Sequence, residues 1–177
     1  MKIVVITGSP HKNGTSALLA DKFIQGAQEA GHEVFRFDAA FEDVQACTAC
    51  DKCHTGDGSC VFKDAMEKLK PQLIASDAVV FASPIYFYAV NGQLKRVIDR
   101  FYAFDARLHV PKKTAWLLTC EDDTDESVAG ADVSLSGMSR FLGWQVNGKV
   151  EALRCATRQE IEKTGYPQQA YELGKNF

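Results

Sequence analysis

The residues that constrain this chain most are its first 31, which read as strand, loop and helix. Ile3, Val4, Val5 and Ile6 form an apolar run rich in β-branched residues, with no alternation between faces. That pattern belongs to a strand covered on both sides, hence to the middle of a sheet. The run breaks at Gly8-Ser9-Pro10-His11-Lys12-Asn13-Gly14-Thr15-Ser16. Glycine, proline and small hydroxyl residues stop a strand there and leave backbone N–H groups without partners. Leu18, Leu19, Phe23, Ile24, Ala27 and Ala30 then recur at helical spacing, and Gly31 stands where a helix end favours positive φ. Donors gathered at a helix N-terminus can hold a phosphate, with the helix dipole and the hydroxyls of Ser9, Thr15 and Ser16 adding to the backbone N–H groups. The same residues also suit an ordinary strand-to-helix turn whose hydroxyls only cap the helix. The loop lacks the lysine of an ATP- or GTP-binding P-loop, and the three-glycine dinucleotide fingerprint is absent.

The rest of the chain continues the rhythm. His32 to Asp38 alternates polar and apolar residues, as an outer strand does. Met66, Leu69, Leu73 and Ile74 mark a helix over residues 64–76, with a kink or restart expected at Pro71. Residues 78–82 are a second fully apolar strand. Leu94, Val97, Ile98 and Phe101 give the next helix one apolar face, and residues 114–119 make a third core strand. A helix over about 125–142, a strand around 144–150 and a polar helix across much of 157–175 complete the chain.

Strands alternating with helices in this way require a parallel sheet with helices on both faces. Five of them in 177 residues suit one α/β domain over residues 1–177, doubly wound in the order 2-1-3-4-5, with a cysteine-rich insertion at about 45–61. In that arrangement the loops of residues 8–16, 83–91 and 120–130 converge on one crevice at the carboxyl ends of the strands.

Net charge is −3, and no Lys/Arg run is present, which argues against nucleic acid and for a small-molecule partner. Met1-Lys2 leads straight into a core strand, and no apolar run approaches a membrane span. The expectation is a cytoplasmic protein without a membrane partner. In a reducing compartment the six cysteines are ligands, redox groups or buried thiols rather than structural disulfides.

The second of the three loops, Ser83-Pro84-Ile85-Tyr86-Phe87-Tyr88-Ala89-Val90-Asn91, packs three aromatic residues between a strand and a helix. On a surface loop this suits a flat ligand, an aromatic satellite of the core or a subunit contact. In the third, Glu121, Asp122, Asp123, Asp125 and Glu126 read as a solvated loop in which Asp123 or Thr124 caps the next helix. Cys120 and Cys155 read as buried, inert thiols.

Cys47, Cys50 and Cys53 follow each other at two-residue spacings, and Cys60 follows after six more, in a stretch containing Gly56 and Gly58. Such a set can close on a [4Fe–4S] cluster, on a structural zinc with His54 replacing one cysteine, or on nothing.

Two of these segments carry a family resemblance. GSPHKNGTS resembles the phosphate loop, and SPIYFYAVNGQLKRVIDR the second signature, of the flavodoxin-like NAD(P)H-dependent FMN reductases. The cysteine spacing resembles that of the iron–sulfur flavoprotein branch of this family. His11 stands where the family often has arginine, and Thr15-Ser16 where it often has Asn-Thr. The resemblance implies a flavodoxin-like fold and a bound FMN. Ser9, His11, Asn13, Thr15 and Ser16 would hold its phosphate, and Pro84, Ile85, Tyr86 and Phe87 its ring. Cys120 and Glu121 would also contact the flavin; carboxylates of the third loop, if close to the ring rather than simply solvated, would lower its reduction potential. It also implies an oxidoreductase that passes electrons from NAD(P)H through the flavin, and through a cluster if Cys47, Cys50, Cys53 and Cys60 hold one, to a flavin, quinone or redox protein. No residue need act as acid or base. A non-catalytic electron carrier or redox sensor is the competing reading, and a homodimer or homotetramer is expected. A hydrolase finds no Ser/His/Asp grouping to support it.

Overall fold

The computed structural model describes residues 1–55 and 59–177. Gly56 and Gly58, counted above among the turn formers of the cysteine segment, lie outside the described residues. Five parallel strands, β1 (Lys2–Thr7), β2 (Glu33–Asp38), β3 (Ala78–Tyr86), β5 (Lys113–Thr119) and β6 (Gln145–Ala152), lie in the order β2-β1-β3-β5-β6. Counted alone, they have the predicted 2-1-3-4-5 order. The sequence reading missed β4 (Ala89–Val90), a two-residue strand that pairs antiparallel with the end of β3.

The central strands lack alternation because both of their faces are covered. Ile3, Val5, Ala78, Val80, Ala82, Ala115 and Leu117 face one core. Val4, Ile6, Val79, Phe81, Trp116 and Leu118 face the other. Each fully buried Val or Ile contributes about 1.5–3 kcal/mol, so the β1 register is strongly specified.

Helices α1 (Thr15–Glu29) and α7 (Tyr166–Lys175) cover the first face, where Ala78, Ala82 and Ala115 leave room for them. Helices α3 (Met66–Ala75), α4 (Gly92–Asp99) and α5 (Glu126–Leu142) cover the second. Gly31 ends α1 as expected, at φ +82°, with its own N–H bonded to Gln28 O and that of His32 to Ala27 O.

Several boundaries differ from the sequence reading. Pro71 lies inside α3 without ending it. The helix expected to run through Phe101 stops at Asp99, and Arg100–Arg107 continues as a 3-10 helix that still buries Phe101 and Phe104. The C-terminal helix divides into α6 (Arg158–Ile161) and α7, and Pro167 sits in the first turn of the latter. A four-residue helix, α2 (Lys52–Thr55), lies within the cysteine segment. Among the described residues, no helix is long and apolar enough to cross a membrane.

Candidate functional site

The carboxyl ends of β1, β3, β5 and β6 surround a cavity of about 790 Å3, within the size range of small-molecule sites. Ser9, His11, Asn13 and Thr15 line it from the first loop, Pro84, Ile85 and Tyr86 from the second, and Cys120 and Glu121 from the third. A fourth segment, after β6, adds Cys155, Ala156 and Arg158. Sequence reading missed that segment; it read Cys155 as a buried thiol, which it is, but not as part of the cavity wall. The crevice rule already pointed to the carboxyl end of every strand in the sheet.

The opening of α1 is chemically incomplete. Gly14 precedes the helix with no capping side chain, and the first turn holds no acidic residue. The Ser9 hydroxyl turns inward to accept from the His11 N–H at 3.1 Å, and Gly14 N–H bonds His11 O, so the loop curls into a cup. An added Cβ at Gly14 would stand 3.0 Å from the His11 Cβ. Thr15 Oγ1 lies 2.9 Å from Thr119 Oγ1 and ties the loop to the end of β5. Ser16 lies one step deeper. It does not line the cavity, and its buried Oγ has no hydrogen-bond partner among the described residues. A phosphate in the cup fits these observations, since it would meet the unpaired N–H groups and give the Ser16 hydroxyl an acceptor.

Asn91, which sequence reading passed over, joins the first two loops. It is fully buried, donates to Gly8 O, and exchanges hydrogen bonds of 3.1 Å with Ser83 through its N–H and Oδ1. Directly before it, Ile85 pairs with Val90 and Tyr86 with Ala89, so Phe87 and Tyr88 form a two-residue hairpin turn. Both have positive φ, +49° and +64°. Such turns favour Asn-Gly, and two bulky residues there store on the order of 1–2 kcal/mol each. Phe87 is 99% exposed at the tip. It lines an adjoining cavity of about 350 Å3 with Ile85, Tyr86, Tyr88, Cys120, Glu121, Asp122 and Ser127. Gly130 of α5 supports the turn from below, where an added Cβ would fall 2.4 Å from Tyr88 O.

The acidic loop differs from expectation. Neither Asp123 nor Thr124 caps α5; instead Ser127 Oγ donates to Asp122 Oδ2 at 2.6 Å, and Asp123 pairs with Arg154. The Ser127 hydrogen bond, with backbone N–H groups, holds the Asp122 carboxyl below its ordinary range. Burial, then the neighbouring Asp122 and Cys155, push the Cys120 thiol up to about 11. Burial likewise raises Cys155. Both stay protonated at neutral pH and are poor nucleophiles.

Cys47, Cys50, Cys53 and Cys60 all line a second, smaller cavity, closed by Phe62, Asp99, Arg100 and Tyr102. Ala49 and Asp51, at φ +52° and +54°, bend the chain between them. Burial first, then the nearby Cys60, Cys50 and Cys47, raise the Cys53 thiol. His54 does not line this cavity. Its ring lies tilted against that of Tyr102, with centroids 4.3 Å apart, and its Nε2 lies 2.8 Å from Tyr102 O. Among the described residues, no group of three or more His, Cys, Asp or Glu side chains is drawn together tightly enough for a single metal ion.

A sequence model of the family described as NADPH-dependent FMN reductase matches residues 1–150. Among curated proteins, the chain is 36% identical over 107 residues to an iron-sulfur flavoprotein of Archaeoglobus fulgidus, covering 60% of this chain and 48% of that one. To an iron-sulfur flavoprotein of Methanosarcina thermophila it is 33% identical over 100 residues, 56% of this chain and 52% of that one. The chain thus spans about half the length of the curated relatives it matches. Among solved structures, an azoreductase of Bacillus anthracis str. Sterne superposes with a TM-score of 0.76 at 19% identity, covering 100% of each chain. An NAD(P)H:quinone oxidoreductase from Methanothermobacter marburgensis gives 0.74 at 19% identity, covering 99% of this chain and 96% of that one. At these identities the likeness is one of fold.

Proposed function

The chain belongs to the NADPH-dependent FMN reductase family, and on that premise we propose that it is an FMN-dependent oxidoreductase taking electrons from NAD(P)H. The acceptor in this reading is a free flavin, a quinone or a redox protein. The observation that carries it is the meeting of the unsatisfied α1 N-terminus with the strained aromatic hairpin around one cavity. Bound FMN would supply two-electron chemistry with the nicotinamide and one-electron chemistry with an acceptor.

The chain's own residues bind and orient. Ser9, His11, Asn13, Thr15 and Ser16, with the α1 backbone, hold the phosphate. Pro84, Ile85 and Tyr86 present the polar backbone edge of β3 to the ring, and Phe87 covers it from the hairpin tip. Cys120 and Glu121 close the far side, and Glu121 and Asp122 set the local negative potential. In the same reading the four cysteines hold an iron–sulfur cluster. Helix α4 links the two sites: its eight residues span about 12 Å from the hairpin to the cysteine cavity. Self-association into a dimer or tetramer belongs to this reading and draws support from Val133 and Phe141, which are 70% and 65% exposed on α5.

Steady-state oxidation of NADH and NADPH by FMN-loaded protein, with free flavin or a quinone as acceptor, tests the proposal. Multiple turnovers support an enzyme. Reduction in a single turnover, with no onward transfer to a small acceptor, would favour the carrier reading.

A further inference from the structure

The most unusual charged group in the molecule is Arg100, at the start of the 3-10 helix. Its side chain is 2% exposed, and its ion-pair partner Asp64 is 3% exposed. One terminal nitrogen lies 2.6 Å from Asp64 Oδ2 and 2.7 Å from the Gln45 carbonyl, and the other lies 3.3 Å from Asp64 Oδ1. Asp64 accepts two further bonds, from the backbone N–H groups of Gln45 at 2.9 Å and Met66 at 3.0 Å. The pair therefore grips residues 45 and 64–66, immediately before and after the four cysteines. Phe62 covers the guanidinium at 5.2 Å.

This network leaves one of the three guanidinium nitrogens unused. Arg100 Nε is buried with no hydrogen-bond partner among the described residues. A buried charged donor in that condition is rare and costly. Arg100 and Cys60 together line both the cysteine cavity and the one beside it, and Cys60 is close enough to act on the guanidinium charge.

We propose that Arg100 is a positioning residue for a metal–sulfur centre held by Cys47, Cys50, Cys53 and Cys60. Braced by Asp64, it fixes both ends of the cysteine segment and offers its spare N–H and its positive charge to the thiolates. The inference rests on the cluster reading above. Four thiolates around a cluster carry net negative charge, which grows by one unit on reduction. A buried cation and a hydrogen bond to sulfur stabilise the reduced form more than the oxidised one and raise the potential.

The test is anaerobic reconstitution with iron and sulfide of wild type, Arg100→Lys, and the double variant Asp64→Asn/Arg100→Gln. Removing both buried charges together avoids leaving either one unpaired. Iron and sulfide per chain, the cluster midpoint and the melting temperature are read for each. The expected result is a midpoint lowered in the double variant by at least tenfold in the reduction equilibrium, 59 mV for one electron. Arg100→Lys, which keeps the charge but not the Nε donor, should fall between the two. Loss of iron from a double variant that melts like wild type also supports the proposal. Iron-loaded variants with unchanged midpoints would overturn it and leave the cluster reading intact; wild type that takes up no iron would overturn both. Should the double variant melt early, Arg100→Lys alone decides, and an unchanged midpoint there counts against the proposal.

Discussion

The cavity at the strand ends and the cavity among the cysteines are built on opposite plans. The larger lies on the ends of four parallel strands, so the core that fixes the strands also fixes its walls, and Asn91 locks two of its loops together. The smaller is carried by a segment whose only regular element among the described residues is the four-residue α2, and a buried ion pair, with exposed contacts to Tyr102, fastens it to the body. A site on strand ends inherits its precision from the sheet. A site on a loop needs a dedicated clasp, and its stability rests largely on that clasp.

Removing the clasp should produce the largest effect. Asp64→Ala leaves Arg100 buried and unpaired, a change worth about 3–5 kcal/mol. Urea unfolding should report the loss and hydrogen exchange should place it in residues 45–65, while FMN still binds. Equal loosening of both cavities would break the contrast between them. The pH dependence has a definite sign. Burial works to raise the Asp64 carboxyl, but the Arg100 hydrogen bond and two backbone N–H groups hold it below the ordinary range. Its contribution to stability is therefore present above the unfolded-state value near 3.9 and is lost as pH falls through the lower folded value. Exchange in the cysteine segment should rise only in that acidic window.

Asn91→Ala tests the other region. It strips hydrogen bonds from buried Gly8 and Ser83, which should cost about 1–3 kcal/mol and weaken FMN binding by calorimetry, while exchange at residues 45–65 stays as in wild type.

A smaller effect, of opposite sign, is expected at the hairpin. Replacing Phe87-Tyr88 with Asn-Gly removes two strained positive-φ positions and should stabilise the fold by up to about 1 kcal/mol, with weaker FMN binding. Gains in both stability and affinity would show that the aromatic pair has no part in the site.

The smallest change concerns charge. Asp122→Asn should raise the flavin midpoint slightly, because one carboxylate fewer faces the adjoining cavity. An unchanged midpoint would place that carboxylate outside the field of the ring.

The same contrast governs what the sequence shows. Burial on both faces writes itself into Ile3–Ile6 and residues 78–82 as unbroken apolar runs, so the sheet, its order and the crevice can be read directly. The hairpin is hidden because Phe87-Tyr88 carries none of the residues that mark such a turn. Arg158 escapes notice, and Cys155 is read only as a buried thiol, because the segment after β6 has no motif of its own. Arg100 and Asp64 are 36 residues apart, in an Asp-Arg dipeptide and a helix-start aspartate that look ordinary until the chain folds. Periodicity reports what is packed against the sheet; it does not report which side chain from one loop meets another.

The central claim is that the curled turn after β1 and the aromatic hairpin after β3 bind one FMN between them. Titrating the purified protein, stripped of any bound flavin, with FMN and following flavin fluorescence tests this directly. The account predicts saturable binding of one FMN per chain, and riboflavin, which lacks the phosphate, binding at least tenfold more weakly. Failure to bind FMN, or equal affinity for riboflavin, would contradict it.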